Sequence, residues 1–419
     1  MHLLLELPRA FRRGSPRGMT SICSAHPIVI EAALRLSAEL DRPALIEATC
    51  NQVNQEGGYT GMTPAIFRAF VERIAVERAG YDPARIVFGG DHLGPNPWKH
   101  LPAAEAMAKA DAMIAAFAEA GFTKLHLDAS MGCRGEPPAL ADACTAERAA
   151  RLAAIAEARA AGPLRPVYVI GTEVPVPGGA VEALDAVHVT EPEAPPRTFE
   201  VHRAAFEARG LGDAFARVIA LVVQPGVEFA HADVVHYAPE KAAGLSAALS
   251  QLPGIVFEAH STDYQTEPAL AALVRDGFAI LKVGPWLTFA LREALYGLDA
   301  VADVLEGRAP QGRLMAAMEE VMRADPLHWR KHYAGDGVDG WIQRHFSLSD
   351  RIRYYWPDAR AREAVESLTR RLAGRAIPAP VAAQYLPGIE PGGAALDPHS
   401  VMLGAVEAVL RRYERSAAP

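Results

Sequence analysis

Two histidines pose the first chemical question in this 419-residue sequence. His92 closes the run IVFGGDH and His260 closes IVFEAH, so each stands where a short apolar stretch gives way to polar residues. Such runs make buried strands, which places both imidazoles at strand ends. One histidine of this kind is more often structural than functional. Two of them on different strands, with carboxylates and an amide nearby, make a site for a divalent cation with open coordination positions. Imidazole donors suit zinc first and manganese second.

The other strand-like runs end in the same manner. Their termini read Cys23, Ser24 and His26; Thr49, Asn51 and Gln52; Asp91 and His92; Asp128 and Ser130; Thr172 and Glu173; Gln224 and Glu228; His260, Ser261 and Asp263; and Lys282 and Gly284. A protein with only a core to build could carry one or two such endings. Nearly every strand ending in acid, amide, hydroxyl or imidazole costs too much desolvation unless a ligand or cation satisfies the groups.

The elements that must position these residues repeat one rhythm from about 20 to 300. Strands are expected near 20–25, 44–49, 86–92, 124–130, 167–173, 217–224, 255–260 and 279–284, each followed by an amphipathic helical stretch. Thr63 and Pro64 start one helix, which buries Phe67, Phe70, Val71 and Ile74 and stops at Gly80. Another runs from Pro102 to Gly121 with Met107, Ala110, Ile114 and Phe117 on one face. Eight consecutive βα units favour a closed (β/α)8 barrel over an open doubly wound sheet, and no GxGxxG or GxxxxGK[ST] loop occurs. The barrel is expected over 1–305. The Pro- and Glu-rich stretch 178–210 reads as an insertion after the fifth strand, and 306–419 as a mostly helical extension packed on the barrel. In such a barrel the active site gathers at the C-terminal ends of the strands, where the polar termini lie.

Composition bounds the partners. Half the residues are hydrophobic, 22% are charged and the net charge is −8, which describes a globular chain with little attraction for a nucleic-acid backbone. No run approaches a bilayer span, and the opening MHLLLELP lacks a basic leader, so a cytoplasmic enzyme is expected. Four scattered cysteines read as reduced thiols.

GGDHLGPNPW (89–98), LHLDASMG (125–132), VVQPGVEF (222–229), FEAHSTDYQ (257–265), LKVGPW (281–286) and SLSDRIRYYW (347–356) resemble the GatZ/KbaZ family across nearly the whole chain. That family is named for a non-catalytic subunit of class II tagatose-bisphosphate aldolase, is sometimes labelled tagatose-6-phosphate kinase, and has members understood as 4-epimerases of tagatose 6-phosphate and fructose 6-phosphate. The resemblance implies a class II aldolase-type barrel with a ketose phosphate as substrate. It leaves an aldolase catalytic subunit as a candidate partner and homo-oligomerisation open. It makes Asp91 a proton shuttle and His92 and His260 ligands. A sixth-strand histidine of true aldolases is missing, so Gln224 or Glu228 is expected to supply the third ligand.

By the same resemblance, Ser261, Thr262 and Gly284 correspond loosely to the phosphate-gripping Gly and Ser loops of the aldolases. Asn51, Gln52, Ser130 and Lys282 complete the expected substrate contacts, with Asp128 either a contact or a support behind one. Arg351 and Arg353 could fork a phosphate or equally tie down the extension through salt bridges. Inverting C4 of a 2-ketose by simple deprotonation is blocked, because the C4 hydrogen is not adjacent to the carbonyl. Cleaving C3 from C4 and rejoining on the other face avoids this, with a divalent metal steadying the charge and Asp91 and Glu173 moving protons from opposite sides.

Overall fold

The computed structural model describes residues 2–172, 187–386, 388 and 397–417. Eight parallel strands close into a barrel: β1 (Met19–Cys23), β2 (Ala44–Thr49), β3 (Ile86–Leu93), β4 (Lys124–Leu127), β5 (Val167–Ile170), β6 (Val218–Val223), β9 (Val256–Ala259) and β10 (Phe278–Val283). The short ribbon β7 (Glu228–Phe229) with β8 (Val234–Val235) follows β6 outside the barrel. All eight expected strands are present, and β1 pairs with β10 through Met19↔Ile280 to close the ring.

β4 ends three residues earlier than expected because the chain turns at Asp128, whose N–H donates to Leu93 O at 3.0 Å. Only glycine fits opposite that turn, since a Cβ on Gly94 would lie 1.6 Å from Asp128 O. The helix expected from Thr63 runs Pro64–Ile74, capped by Thr63 Oγ1, and continues through a π-turn to Gly80 at φ 61°. The helix after Pro102 spans Ala103–Glu119.

From residue 187 onward, the stretch expected as an insertion carries the helix Ala194–Ala208. It packs on the helix Asp142–Arg159 and on β6, in the layer that connects β5 to β6. Beyond residue 305 most of the described residues are helical. Its last helix, Pro398–Ser416, packs against the helices Pro27–Glu39, Glu267–Arg275 and Pro285–Leu305, so it completes the outer layer of the barrel beside β1. Tyr413 Oη donates to Thr262 O at 2.7 Å, and Gly18 N–H donates to Ala417 O at 2.8 Å.

The lumen has two halves. Its lower part is apolar, with Leu45, Val167, Val169, Ala220, Val222, Val256 and Ile280 in one cluster that Leu4 and Leu7 of the N-terminal segment seal from below. Above it the same strands turn charged.

Candidate active site

Alternation along the strands builds the upper lumen. Two residues past Leu45 comes Glu47, two past Val256 comes Glu258 and then His260, and two past Ile280 comes Lys282; β4 contributes Lys124, His126 and Asp128. Side chains two apart share a strand face, so one step along the barrel axis converts hydrocarbon into charge. Lys124 Nζ lies 2.7 Å from both Glu47 Oε1 and Glu258 Oε2 with all three side chains fully buried. Lys282 Nζ pairs with Glu47 and lies 3.0 Å from Asp91 Oδ2. Gly89 leaves room for this floor, because a Cβ there would sit 2.6 Å from Glu47 Cγ.

On the floor stand three imidazoles, not two. The ring centroids of His92, His126 and His260 are 4.9, 5.1 and 5.2 Å apart, a nearly equilateral triangle. Each ring has one nitrogen held by a different carboxylate. His92 Nδ1 is 2.8 Å from Asp128 Oδ2, His126 Nδ1 is 2.8 Å from Asp91 Oδ1, and His260 Nε2 is 3.0 Å from Glu258 Oε1. A carboxylate only accepts, so the proton of each neutral ring lies on the nitrogen facing it; His126 Nδ1 also lies 3.2 Å from the His92 N–H, and the shorter 2.8 Å contact to Asp91 Oδ1 assigns its proton there. The other nitrogen keeps its lone pair. For His126 that atom, Nε2, is buried with no hydrogen-bond partner. Paired carboxylate–imidazole units of this kind orient metal ligands and raise their basicity. One donor atom from each of Asp91, His92, His126 and His260 can be chosen so that all lie within 4.8 Å of one another.

The charge count agrees. Buried Glu47, Asp91 and Glu258 pair with the ammonium groups of Lys124 and Lys282, and buried Asp128 pairs with the His92 ring. With neutral rings these four carboxylates outnumber the two ammonium groups by two, the charge that a divalent cation would carry. Without one, the pocket leans on protons. Burial opposes a charged His92, but Asp91 and Asp128 outweigh it and raise its pKa, whereas burial lowers His260 to about 4. Burial alone would raise Asp91, yet His92, Lys282 and the His126 hydrogen bond hold it well below the usual carboxylate range, and Asp128 sits at about 2.

Gln224 and Glu228 are not part of this cluster, contrary to expectation. Gln224 Oε1 accepts from the N–H groups of Gly226 and Val227, shaping the turn into β7. Glu228 Oε1 accepts from Phe229 N–H, and burial raises its carboxyl to about 7. The third imidazole comes from the middle of β4, where His126 stands between outward Leu125 and Leu127. The period of two in KLHLD was the signal for it, and a search of strand ends alone passes it by.

Asn51, Gln52, Asp91, His92, His260, Ser261, Lys282, Gly284 and Arg353 all line a cavity of about 80 Å³ at the mouth. It adjoins a second cavity of about 400 Å³, with Cys23, Gln52, Tyr59, Gly284 and Arg353 lining both. Four expected contacts lie off the small cavity. Asp128 and Ser130 hydrogen-bond each other behind His92, and Thr262 Oγ1 donates to Lys282 O at 2.6 Å inside the wall. Arg351 donates to His328 O and packs on Tyr354. The Gly284 N–H, expected to grip phosphate, instead donates to Asp263 Oδ1. Arg353 does reach the mouth. The anchoring salt bridge of its segment is made by Asp350, 2.9 Å from Arg292 Nε. Glu173 lies outside the described residues.

Backbone strain marks the same place. Among the five described non-glycine residues with positive φ, His92 at 51° and Ser261 at 54° are at this mouth, each set in a left-handed turn that aims its side chain inward.

Fold and site together define a (β/α)8-barrel protein whose chemistry is concentrated at the C-terminal mouth. A family model described as D-tagatose-1,6-bisphosphate aldolase subunit GatZ/KbaZ-like matches residues 4–418, and the chain belongs to that family. It is 54% identical over 414 residues to a protein of Agrobacterium fabrum named D-tagatose 6-phosphate 4-epimerase, covering 98% of this chain and 97% of that one. A crystal structure from Sinorhizobium meliloti 1021, titled a probable tagatose 6 phosphate kinase, is 55% identical and superposes with a TM-score of 0.87 over 96% of this chain and all of that one. The fold also matches fructuronate-tagaturonate epimerase UxaE from Cohnella laeviribosi at a TM-score of 0.51 and 12% identity, covering 98% of this chain and 85% of that one.

Proposed function

We propose that this chain is a metal-dependent epimerase that interconverts D-tagatose 6-phosphate and D-fructose 6-phosphate by retro-aldol cleavage and re-addition, and that it works in the cytoplasm. The observation that carries the reading is the triangle of carboxylate-held imidazoles above a floor two positive charges short. The relative named as this epimerase, 54% identical over nearly its full length, supports the substrate. His92, His126 and His260 would hold a divalent cation, zinc in preference to manganese. When bound, it supplies Lewis acidity for the oxygens on C2 and C3 of a ketose.

The chain's own groups do the rest. Asp91 is kept ionised beside Lys282 and takes the proton of the C4 hydroxyl. Lys282 is held by Glu47 and presents a fixed positive charge to oxygens that become negative as C3–C4 breaks. Arg353 and Ser261 at the rim receive the phosphate, and Asn51 and Gln52 bind hydroxyls along the opposite wall. The test is to incubate metal-loaded protein with fructose 6-phosphate, without ATP or any other protein, and identify products by NMR. Tagatose 6-phosphate is expected, and its absence would overturn the reading. ATP-dependent formation of a bisphosphate would favour a kinase, against the lack of a phosphate loop.

A second reading, a stabilising partner of a catalytic aldolase subunit, draws on one surface feature. The helix Val338–Phe346 leaves Val338, Trp341, Ile342 and Phe346 exposed, and apolar surface of this kind suits a protein partner. It predicts no turnover alone and recovery of activity in the partner's presence.

A further inference from the structure

We infer that Asp263 is a second proton-transfer group of this site, working across the substrate from Asp91; the inference rests on the epimerase reading above. In the ring order β1-β10-β9-β6-β5-β4-β3-β2, β3 and β9 are four staves apart, diametrically opposite. Asp91 stands near the end of β3, and Asp263 follows β9 by four residues; both carboxyls line the same small cavity. Asp263 is buried, and one of its oxygens is fixed. Oδ1 accepts from Gly284 N–H at 3.0 Å and Trp286 N–H at 2.8 Å, at the start of the helix Pro285–Leu305. Among the described residues Oδ2 has no hydrogen bond, so the carboxyl is held rigidly with one oxygen free for a ligand.

The surroundings of Asp263 suit a carboxyl that can hold a proton. Burial raises it to about 6, opposed by the backbone N–H groups of Trp286, Gly284 and Asp263 itself and by Arg353. Arg353 is the cation that faces it, and Glu228, Tyr264 and Tyr413 are the other titratable groups that sense its charge. A carboxyl raised in this way, standing across the cavity from Asp91, can give a proton to an oxygen there.

The chemistry needs such a pair. One carboxylate takes the C4 hydroxyl proton, the C3–C4 electrons move into the C2–C3 unit as an enediolate, and C4 becomes an aldehyde. Once the aldehyde has turned its other face, the bond re-forms and the new C4 alkoxide points across the cavity. There it takes a proton from the opposite carboxyl. One proton has left to one side and one has arrived from the other, with no change in oxidation state.

The experiment compares wild type with Asp263→Asn as full-length, metal-loaded enzymes. Asparagine keeps the oxygen that accepts from Gly284 and Trp286, so helix anchoring survives, and thermal melting checks this. Epimerisation is measured in both directions. C3–C4 cleavage is measured separately for each epimer, by rapid quench with enzyme in excess. The inference predicts epimerisation reduced by about 10²–10⁴-fold, with cleavage retained for one epimer and lost for the other. Wild-type epimerisation by the variant, or equal loss of cleavage from both epimers, would overturn it. If wild type itself fails to epimerise, the parent reading falls and this inference with it. If wild type is active and the variant equally so, only the role of Asp263 falls.

Discussion

The two halves of the barrel lumen are built on the same strands to opposite ends. In the lower half, Leu45, Val167, Val169, Val256 and Ile280 make a dry plug under the N-terminal segment. In the upper half, two residues further along β2, β9 and β10, stand Glu47, Glu258 and Lys282, buried just as deeply. Hydrocarbon in the lower half stabilises the fold by leaving water. The charged upper half is costly to bury, and its carboxylates are held by two ammonium groups and three imidazoles. The contrast teaches that burial alone does not separate core from site; the identity of the inward residue at each two-residue step does. It also varies around the ring, since β5 remains apolar along its whole inward face.

Breaking the upper half should cost activity first. His126→Ala removes one corner of the triangle, and its effect on metal affinity should exceed the about 10–100-fold expected for losing an outer partner of a ligand. Metal content and turnover check this; a variant that binds zinc as wild type does would show that His126 is only packing. Lys124→Met leaves Glu47 and Glu258 without their shared ammonium and should lower stability by about 3–5 kcal/mol, read from urea unfolding. Ile280→Ala, one step below Lys282, should cost about 2–5 kcal/mol and leave kcat unchanged. Equal losses of kcat in the Lys124 and Ile280 variants would erase the distinction between the halves.

The smallest effect lies outside the lumen. Burial lowers His26 and His202 to about 4 from an ordinary value near 6.5. Their neutral forms belong to the folded state, so protonation favours unfolding. Their contribution is intact above pH 6.5 and is lost progressively as pH falls toward 4. Urea midpoints at pH 7 and pH 5 should differ, and His202→Gln should narrow the gap.

Strand rhythm made the barrel legible in the sequence, and polar strand ends made His92, His260, Asp91 and Lys282 legible as residues of one mouth. His126 was harder to see. It lies within β4 rather than at its end, and only the alternation of Lys124, His126 and Asp128 against Leu125 and Leu127 reveals its inward face. Glu47 and Glu258 are hidden in the same way inside ALIEAT and FEAH. Gln224 and Glu228 looked like donors because they stand where the aldolase resemblance places a sixth-strand histidine, but a turn captures Gln224 and a neighbouring N–H captures Glu228. Local hydrogen bonding of that kind is decided by backbone geometry, which spacing in the sequence does not encode. The difference between Arg353 and Arg351 is of the same kind: both donate to backbone carbonyls, Arg353 to Ser349 O and Asp350 O and Arg351 to His328 O, but only Arg353 also lines the small cavity.

On the function proposed above, three imidazoles from β3, β4 and β9 meet on one cation. X-ray absorption and anomalous diffraction on zinc-loaded protein test this directly. One ion per chain is expected, bound to nitrogen from His92, His126 and His260, with a position left for substrate. An ion bound through Gln224 or Glu228, or lying away from the barrel mouth, would contradict it.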